Sequence, residues 1–209
     1  YVPKTEEELA EMQQLWVWND SAMDRQVATL TDPSLVIYDR QAGAGQLFIT
    51  SGGNGYLFTL STNTFASIAN LASKARMGAM LDGYFLALDT ITSTTTTTVY
   101  ISDLLDGATW DPTRFIQRSA ASDPWTSLAV NPPYLWLLGE RSSEVWYDAG
   151  TAPVPFAKHP SGTIPWGIGA TFTGVVADGS LVWLSQTRDG FGAVVRASGF
   201  GPEVISTFP

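Results

Sequence analysis

The chain contains no cysteine. Disulfides and thiolate metal sites are therefore excluded, and the redox compartment stays open. It contains a single histidine, His159. A zinc site or a Ser-His-Asp triad has one imidazole to draw on, which argues against both. Charge is sparse, at 15% of residues, so the chain is not a coiled coil or an ion-pair-rich helical protein. Basic residues are in deficit, 11 against 20 acidic ones, for a net charge of −9. Such a chain repels phosphate overall and is a poor sequence-reader of nucleic acid, although a local basic patch stays open. Apolar runs fall short of the ~20 residues needed to span a membrane, and no signal peptide is visible at the start.

Apolar and turn-forming residues are abundant instead. Of 209 residues, 44% are hydrophobic and 12% aromatic, enough for one ample core or two small ones. Glycine (19) and proline (12) are frequent, as many turns require.

The first thirty residues read differently from the rest. Thr5 and Glu8 in "TEEE" form a capping box, and Leu9, Met12 and Trp16 follow at helical spacing on one face. The pattern predicts a helix from about Glu6 to Trp16 within an N-terminal helical arm, residues 1–30, that docks on the body or on a partner. Residues 31–209 read as one β-propeller-like domain, a segment of a longer chain.

From residue 34 onward, short apolar runs are divided by Gly, Asn-Gly, Asp-Gly and Pro, the pattern of strands joined by hairpins. Leu57 and Thr59 face opposite to Phe58 and Leu60. Other runs are apolar on both faces and predict central strands covered on both sides. "FASIANLASKARMG", 65–78, fits a short helix, or a strand and loop within a propeller. Three turn residues align when each is preceded and followed by an apolar run: Asp82, Asn131 and Asp178, with gaps of 49 and 47 residues. That period predicts propeller blades of three or four antiparallel strands. Asn54 resembles an earlier copy but lies only 28 residues before Asp82, which predicts a shorter or incomplete unit there. At most four units fit. The fold class expected is all-β: β-propeller-like blades of antiparallel strands, an incomplete propeller in this segment, with a short N-terminal helix.

Candidates for chemistry are few. Glu140 and Glu144, with Arg141 between them, could be an acid/base pair or the polar tip of a hairpin. In the blade reading Tyr134 to Leu138 is one strand, Val145 to Tyr147 the next, and "GERSSE" the loop between. The two carboxylates then face each other at a solvated tip. A catalytic pair needs a desolvated acid and a second carboxylate across a cleft, which a tip does not supply. "SDLLDGATWDP", 102–112, partly matches the S-x-D-x-G-x-T-W turn of sialidase-type propellers. Gly107, Thr109 and Trp110 fit, but Leu105 and Asp103 stand at the Asp and Ser positions. Even a full match is a structural turn. A sialidase mechanism also needs three convergent arginines, and no spacing singles out three of the eight. "SGGNG", 51–55, precedes a strand and so reads as a turn, not a phosphate cradle. "TSTTTTT", 92–98, reads as an exposed loop or edge strand. His159 lies in "FAKHPSG" and is expected to be exposed. Trp136, Trp146 and Trp183 read as core. Trp110, Trp125 and Trp166 sit beside turns, placed for edge packing or for stacking on sugars. No residue is assigned a catalytic, cofactor-binding or metal-ligating role.

"DGYFLALD", "VYISDLLDGATWDPTRF", "PYLWLLGERSSEVWYDAG", "PFAKHPSGTIPWGIGA" and "DGSLVWLSQTRDGFGAVVRASGFGPEVIST" follow in that order. Together, over roughly residues 80 to 207, they resemble the packaged-DNA stabilisation proteins of short-tailed phages, also called tail hub or nozzle proteins. The resemblance implies a non-enzymatic virion component with a propeller-like body and no cofactor. It implies a homo-oligomeric ring beneath the portal and its adaptor, which extends the DNA channel and helps retain the genome. It implies contact with the tail needle and the fibres or spikes, with DNA passing through the lumen without sequence-specific binding. Two other functions fit the residues: a propeller-type binding module for a protein or glycan, and a sialidase-like glycoside hydrolase.

Overall fold

The computed structural model describes residues 17–19, 22–24, 36–41, 45–90, 92, 96–118, 123–186 and 192–206. Two short strands, β1 (Val17–Asn19) and β2 (Ala22–Asp24), pair with each other. The helix expected from Glu6 to Trp16 lies outside the described residues.

Four antiparallel sheets of four strands follow, each built from consecutive strands in chain order. Blade 1 holds β3 (Val36–Gln41), β4 (Gln46–Ser51), β5 (Asn54–Thr59) and β6 (Thr64–Ser67). Blade 2 holds β7 (Met77–Leu81), β8 (Tyr84–Asp89), β9 (Thr98–Asp103) and β10 (Asp106–Gln117). Blade 3 holds β11 (Trp125–Asn131), β12 (Tyr134–Gly139), β13 (Ser143–Asp148) and β14 (Phe156–Ile164). Blade 4 holds β15 (Val175–Ala177), β16 (Ser180–Gln186), β17 (Gly192–Ser198) and β18 (Gly201–Val204). The first strands lie closest together, β3 on β7, β7 on β11 and β11 on β15. They are therefore the inner strands of propeller blades, and β6, β10, β14 and β18 are the outer edges.

Side-chain alternation produces this stacking. In β8, Phe85 and Ala87 pack toward Phe48 and Leu57 of blade 1, while Leu86 and Leu88 pack toward Leu128, Leu135 and Leu137 of blade 3. In β12, Leu135 and Leu137 face blade 2, while Trp136 and Leu138 face Leu181, Trp183 and Val195 of blade 4. These runs are apolar on both faces because both faces are covered. Each large aliphatic side chain so buried contributes about 1.5–3 kcal/mol.

Blade 4 differs. In β17, buried Ala193, Val195 and Ala197 alternate with exposed Gly192, Val194 and Ser198. Val175, Val194 and Ile205 stand exposed on the face turned away from blade 3.

Two expectations are corrected and one is resolved. Of the two readings of 65–78, the strand and loop holds: the stretch is strand β6, a single 3-10 turn at Ala69–Leu71 and the start of β7. The turn wins because Ile68 and Leu71 must bury in the core between blades 1 and 2. Blade 1 is neither short nor incomplete. Asn54 opens β5 after the turn Gly52-Gly53, whereas Asp82-Gly83 joins the first two strands of blade 2. The corresponding connection in blade 1 runs from Gln41 to Gln46, so the spacing compared two different hairpins. The threonine run is exposed at Thr92 and Thr96, as expected, but not where it enters β9. Thr97 and Thr98 are buried, and the Thr97 hydroxyl accepts the Trp125 N–H at 2.8 Å.

Candidate interaction surfaces

Antiparallel order sends the first and third connections of every blade to one end. This hairpin rim is tied from blade to blade. Gly107 N donates to Gln46 Oε1 at 2.8 Å, joining blade 2 to blade 1, and Asn131 Nδ2 donates to Gly179 O at 3.2 Å, joining blade 3 to blade 4. Asp82, Asp103, Asp106, Asp148 and Asp178 gather here because turns favour Asp at positions where its carboxylate bonds nearby N–H groups. Asp106 does so, accepting from Ala108 N at 2.9 Å. Hydrogen bonds from Thr109 and Ala108 hold its carboxyl below the usual range, so it stays ionised. Asp82 is shifted upward, first by burial and then by the neighbouring charge of Asp148. Among the described residues, two basic side chains answer these acids: Arg114 pairs with Asp103, and Arg196 lies 3.4 Å from Asp178.

At the opposite, crossover rim the charges are nearly balanced. Lys74, Arg76, Arg118 and Arg141 stand against Asp89, Asp123 and Glu140. Of the inner strands, β7, β11 and β15 contain no charged residue and β3 carries one of each sign, Asp39 and Arg40. The acidity of the described chain is therefore concentrated at the hairpin rim, not along the blade axis.

The crossover rim also carries a clasp. Arg118, just after β10, reaches Asp123, just before β11, at 2.9 Å. Asp123 in turn accepts the backbone N–H groups of Arg141 and Ser142 at 2.8 and 3.1 Å. Burial pushes the Asp123 carboxyl up, but the Arg141 N–H, the Arg118 charge and the Ser142 donors outweigh it and leave it below its ordinary value.

Glu140 and Glu144 do not face each other at a tip. The β12–β13 loop is residues 140–142, and Glu144 lies inside β13 opposite Leu137. That register places its side chain on the face toward blade 2, fully buried. Its two oxygens meet Trp146 Nε1 at 3.2 Å and Lys158 Nζ at 3.4 Å. Glu140 is exposed. One carboxylate is thus a buried strut and the other a surface charge, with no shared cleft.

The remaining candidates are structural as well. Trp110 is buried and donates from Nε1 to Gly107 O at 2.7 Å, so the partial Asp-box match is a turn lock. Trp125 is fully buried, which removes it from sugar stacking. Trp136, Trp146 and Trp183 are core, as their strand positions predict. Gly52 and Gly53 form a turn with φ 56° and 81°, as "SGGNG" predicts. His159 is half-buried rather than exposed, because β14 extends through it and Phe200 of blade 4 covers it at 4.6 Å between ring centroids. Among the described residues, no three His, Cys, Asp or Glu side chains come together as a metal site. Among them, no helix is long and apolar enough to cross a membrane.

A family model described as "Bacteriophage P22 Gp10, beta-propeller" matches residues 22–208. The chain belongs to this family. It is a phage structural protein associated with the virion, and the family is not one of enzymes. The four sheets are blades of the β-propeller that the family description names. No curated protein matches the chain. Among solved structures, PorZ of the type-IX secretion system of Porphyromonas gingivalis is similar at 13% identity and a TM-score of 0.52, over 92% of this chain and 26% of that one. Hsv2p of Kluyveromyces lactis is similar at 13% identity and a TM-score of 0.41, over 78% of this chain and 50% of that one. The chain thus spans about a quarter and a half of the lengths of these two proteins. At such identities the likeness to PorZ speaks to fold alone.

Proposed function

We propose that this phage-stabilisation protein is a ring-forming hub, or nozzle, of a short-tailed phage tail. It sits below the portal and its adaptor, extends the DNA channel, and helps retain and later eject the packaged genome. The observation that carries the reading is the family match across residues 22–208.

Two physical features support it. Carboxylates at the hairpin rim repel phosphate, so a ring presenting that rim to its lumen lets DNA slide without gripping it. Aliphatic side chains left exposed on blade 4, Val175 and Val194 among them, suit a subunit contact. In a ring each copy meets its neighbour through two different surfaces. Adaptor, tail needle and fibre or spike proteins are the partners this position brings.

Negative-stain microscopy of the full-length protein, alone and with the adaptor-bearing portal, is the test. Ring-shaped particles that stack below the portal are expected. A monomer that adds no density to the portal complex would sink the proposal.

A further inference from the structure

Three two-residue turns in the blades use Gly-Gly or Asp-Gly: Gly52-Gly53, Asp82-Gly83 and Asp178-Gly179. The β9–β10 turn departs from that chemistry. Leu104 and Leu105 close it between the paired residues Asp103 and Asp106, and their side chains are 55% and 53% exposed. Leu105 holds φ at +58°, a left-handed conformation that disfavours a leucine. Two leucines at a solvent-facing turn that Asn-Gly would close more easily destabilise the fold and leave apolar surface in water.

The tip is also held firmly. Leu105 N donates to Gly83 O at 2.9 Å, tying it to the neighbouring turn of the same blade. Leu60, 45% exposed, directly follows the third strand of blade 1 at the same rim. The Gln46–Gly107 bond joins the two blade ends beside it. Asp82, Asp103, Asp106 and Asp148 share this end of blades 2 and 3, and Arg114 is engaged with Asp103.

We propose that Leu104 and Leu105, with Leu60 on the same rim, are an anchor that enters an apolar pocket rimmed by lysine and arginine on another protein of the phage particle. A preformed apolar centre excludes water from the contact, and the surrounding carboxylates select a basic rim. The same carboxylates repel nucleic acid and anionic lipid, so the partner is a protein surface. The proposal rests on the reading of this chain as a tail component and adds the face and the partner chemistry.

Because the chain has no cysteine, Leu104→Cys and Leu105→Cys each supply a single thiol. Maleimide labelling is compared between the isolated protein and purified variant particles, with denatured particles as the reference for full labelling. Labelling slowed at least about tenfold in particles is expected. A photo-crosslinker at position 105 is expected to capture a protein peptide containing Lys or Arg. A thiol as reactive in particles as in the isolated protein, or an adduct to DNA or to a peptide without basic residues, overturns the anchor while leaving the tail reading intact. Absence of the protein from purified particles overturns both. The double variant Leu104→Ser, Leu105→Asn is expected to melt no lower than wild type, since Asn tolerates positive φ, yet to enter particles at least about tenfold less. Unchanged incorporation of that variant also overturns the anchor.

Discussion

Arg118 and Asp123 meet at 2.9 Å across the crossover from blade 2 to blade 3. Asp123 also holds the β12–β13 turn through Arg141 N and Ser142 N, so one carboxylate fastens the end of one blade, the start of the next and the turn between two strands. Burial pushes the Arg118 guanidinium down, while Asp123 and Glu144 pull it back up. It stays charged and needs its partner.

Replacing that partner is costly. Asp123→Asn keeps the shape but strands a buried cation, and a loss of about 3 kcal/mol in urea unfolding at pH 7 is expected. The pH dependence follows from the direction of the shift. The folded-state pKa of Asp123 is depressed, so its contribution is present above the unfolded value of about 3.9 and is lost as pH falls through the folded value. The gap between wild type and Asp123→Asn should therefore narrow below about pH 4. A gap that is constant from pH 7 to pH 3 would contradict the charge argument.

Glu144 and Glu140 should part company under mutation. Glu144→Ala leaves Trp146 Nε1 and Lys158 Nζ without their acceptor between two blades, and about 2–4 kcal/mol of destabilisation is expected. Glu140→Gln changes a solvated charge and should shift stability by no more than about 0.5 kcal/mol. Equal effects in chemical denaturation would restore the symmetric hairpin-tip picture.

Why the sequence reveals the turn but hides the strut is a matter of range. Asp82-Gly83 and Asp178-Gly179 announce themselves because the left-handed turn needs those residue types locally. Strand alternation is equally local, so the blades and their buried tryptophans are legible. The partners of Glu144 are not, because Lys158 lies a full strand and loop further on. Only the β13–β14 register, Trp146 opposite Lys158, brings the ammonium within reach. The inward turn of Glu144 follows from a three-residue loop where polarity alone suggests six. Asn54 misleads for a related reason: its turn chemistry matches that of Asp82, but its place in the blade does not. Rim polarity is likewise invisible in a linear charge count, since it arises from which connections share an end.

The two faces of β17 offer a direct check on the stacking. Val194→Lys places a charge on the exposed face and should change stability by about 0.5 kcal/mol or less. Val195→Lys drives an ammonium into the core beside Trp183, and a loss of several kcal/mol, or failure to fold, is expected. Thermal melts that fail to separate the neighbours would mean the alternation is misplaced.

Gly167 is the tightest approach between the blade 3–blade 4 crossover and the turn it passes. A Cβ there would fall on the carbonyl group of Glu140 and 2.5 Å from Arg141 N, all backbone atoms that no rotamer change can clear. The carbonyl of Gly167 is engaged as well, accepting from Trp183 Nε1 at 3.0 Å and Ser185 Oγ at 2.9 Å. Gly167→Ala must therefore move either the crossover, breaking the bonds that seat blade 4, or the turn, loosening Asp123 from Arg141 and Ser142. Either route costs about 3 kcal/mol. Gly179, by contrast, has open space around its Cβ direction, so Gly179→Ala suffers only from its φ of +69° and should lose about 1 kcal/mol. Denaturant melts that rank Gly179→Ala as the more damaging of the two would show that the crossover does not run as close to the turn as described.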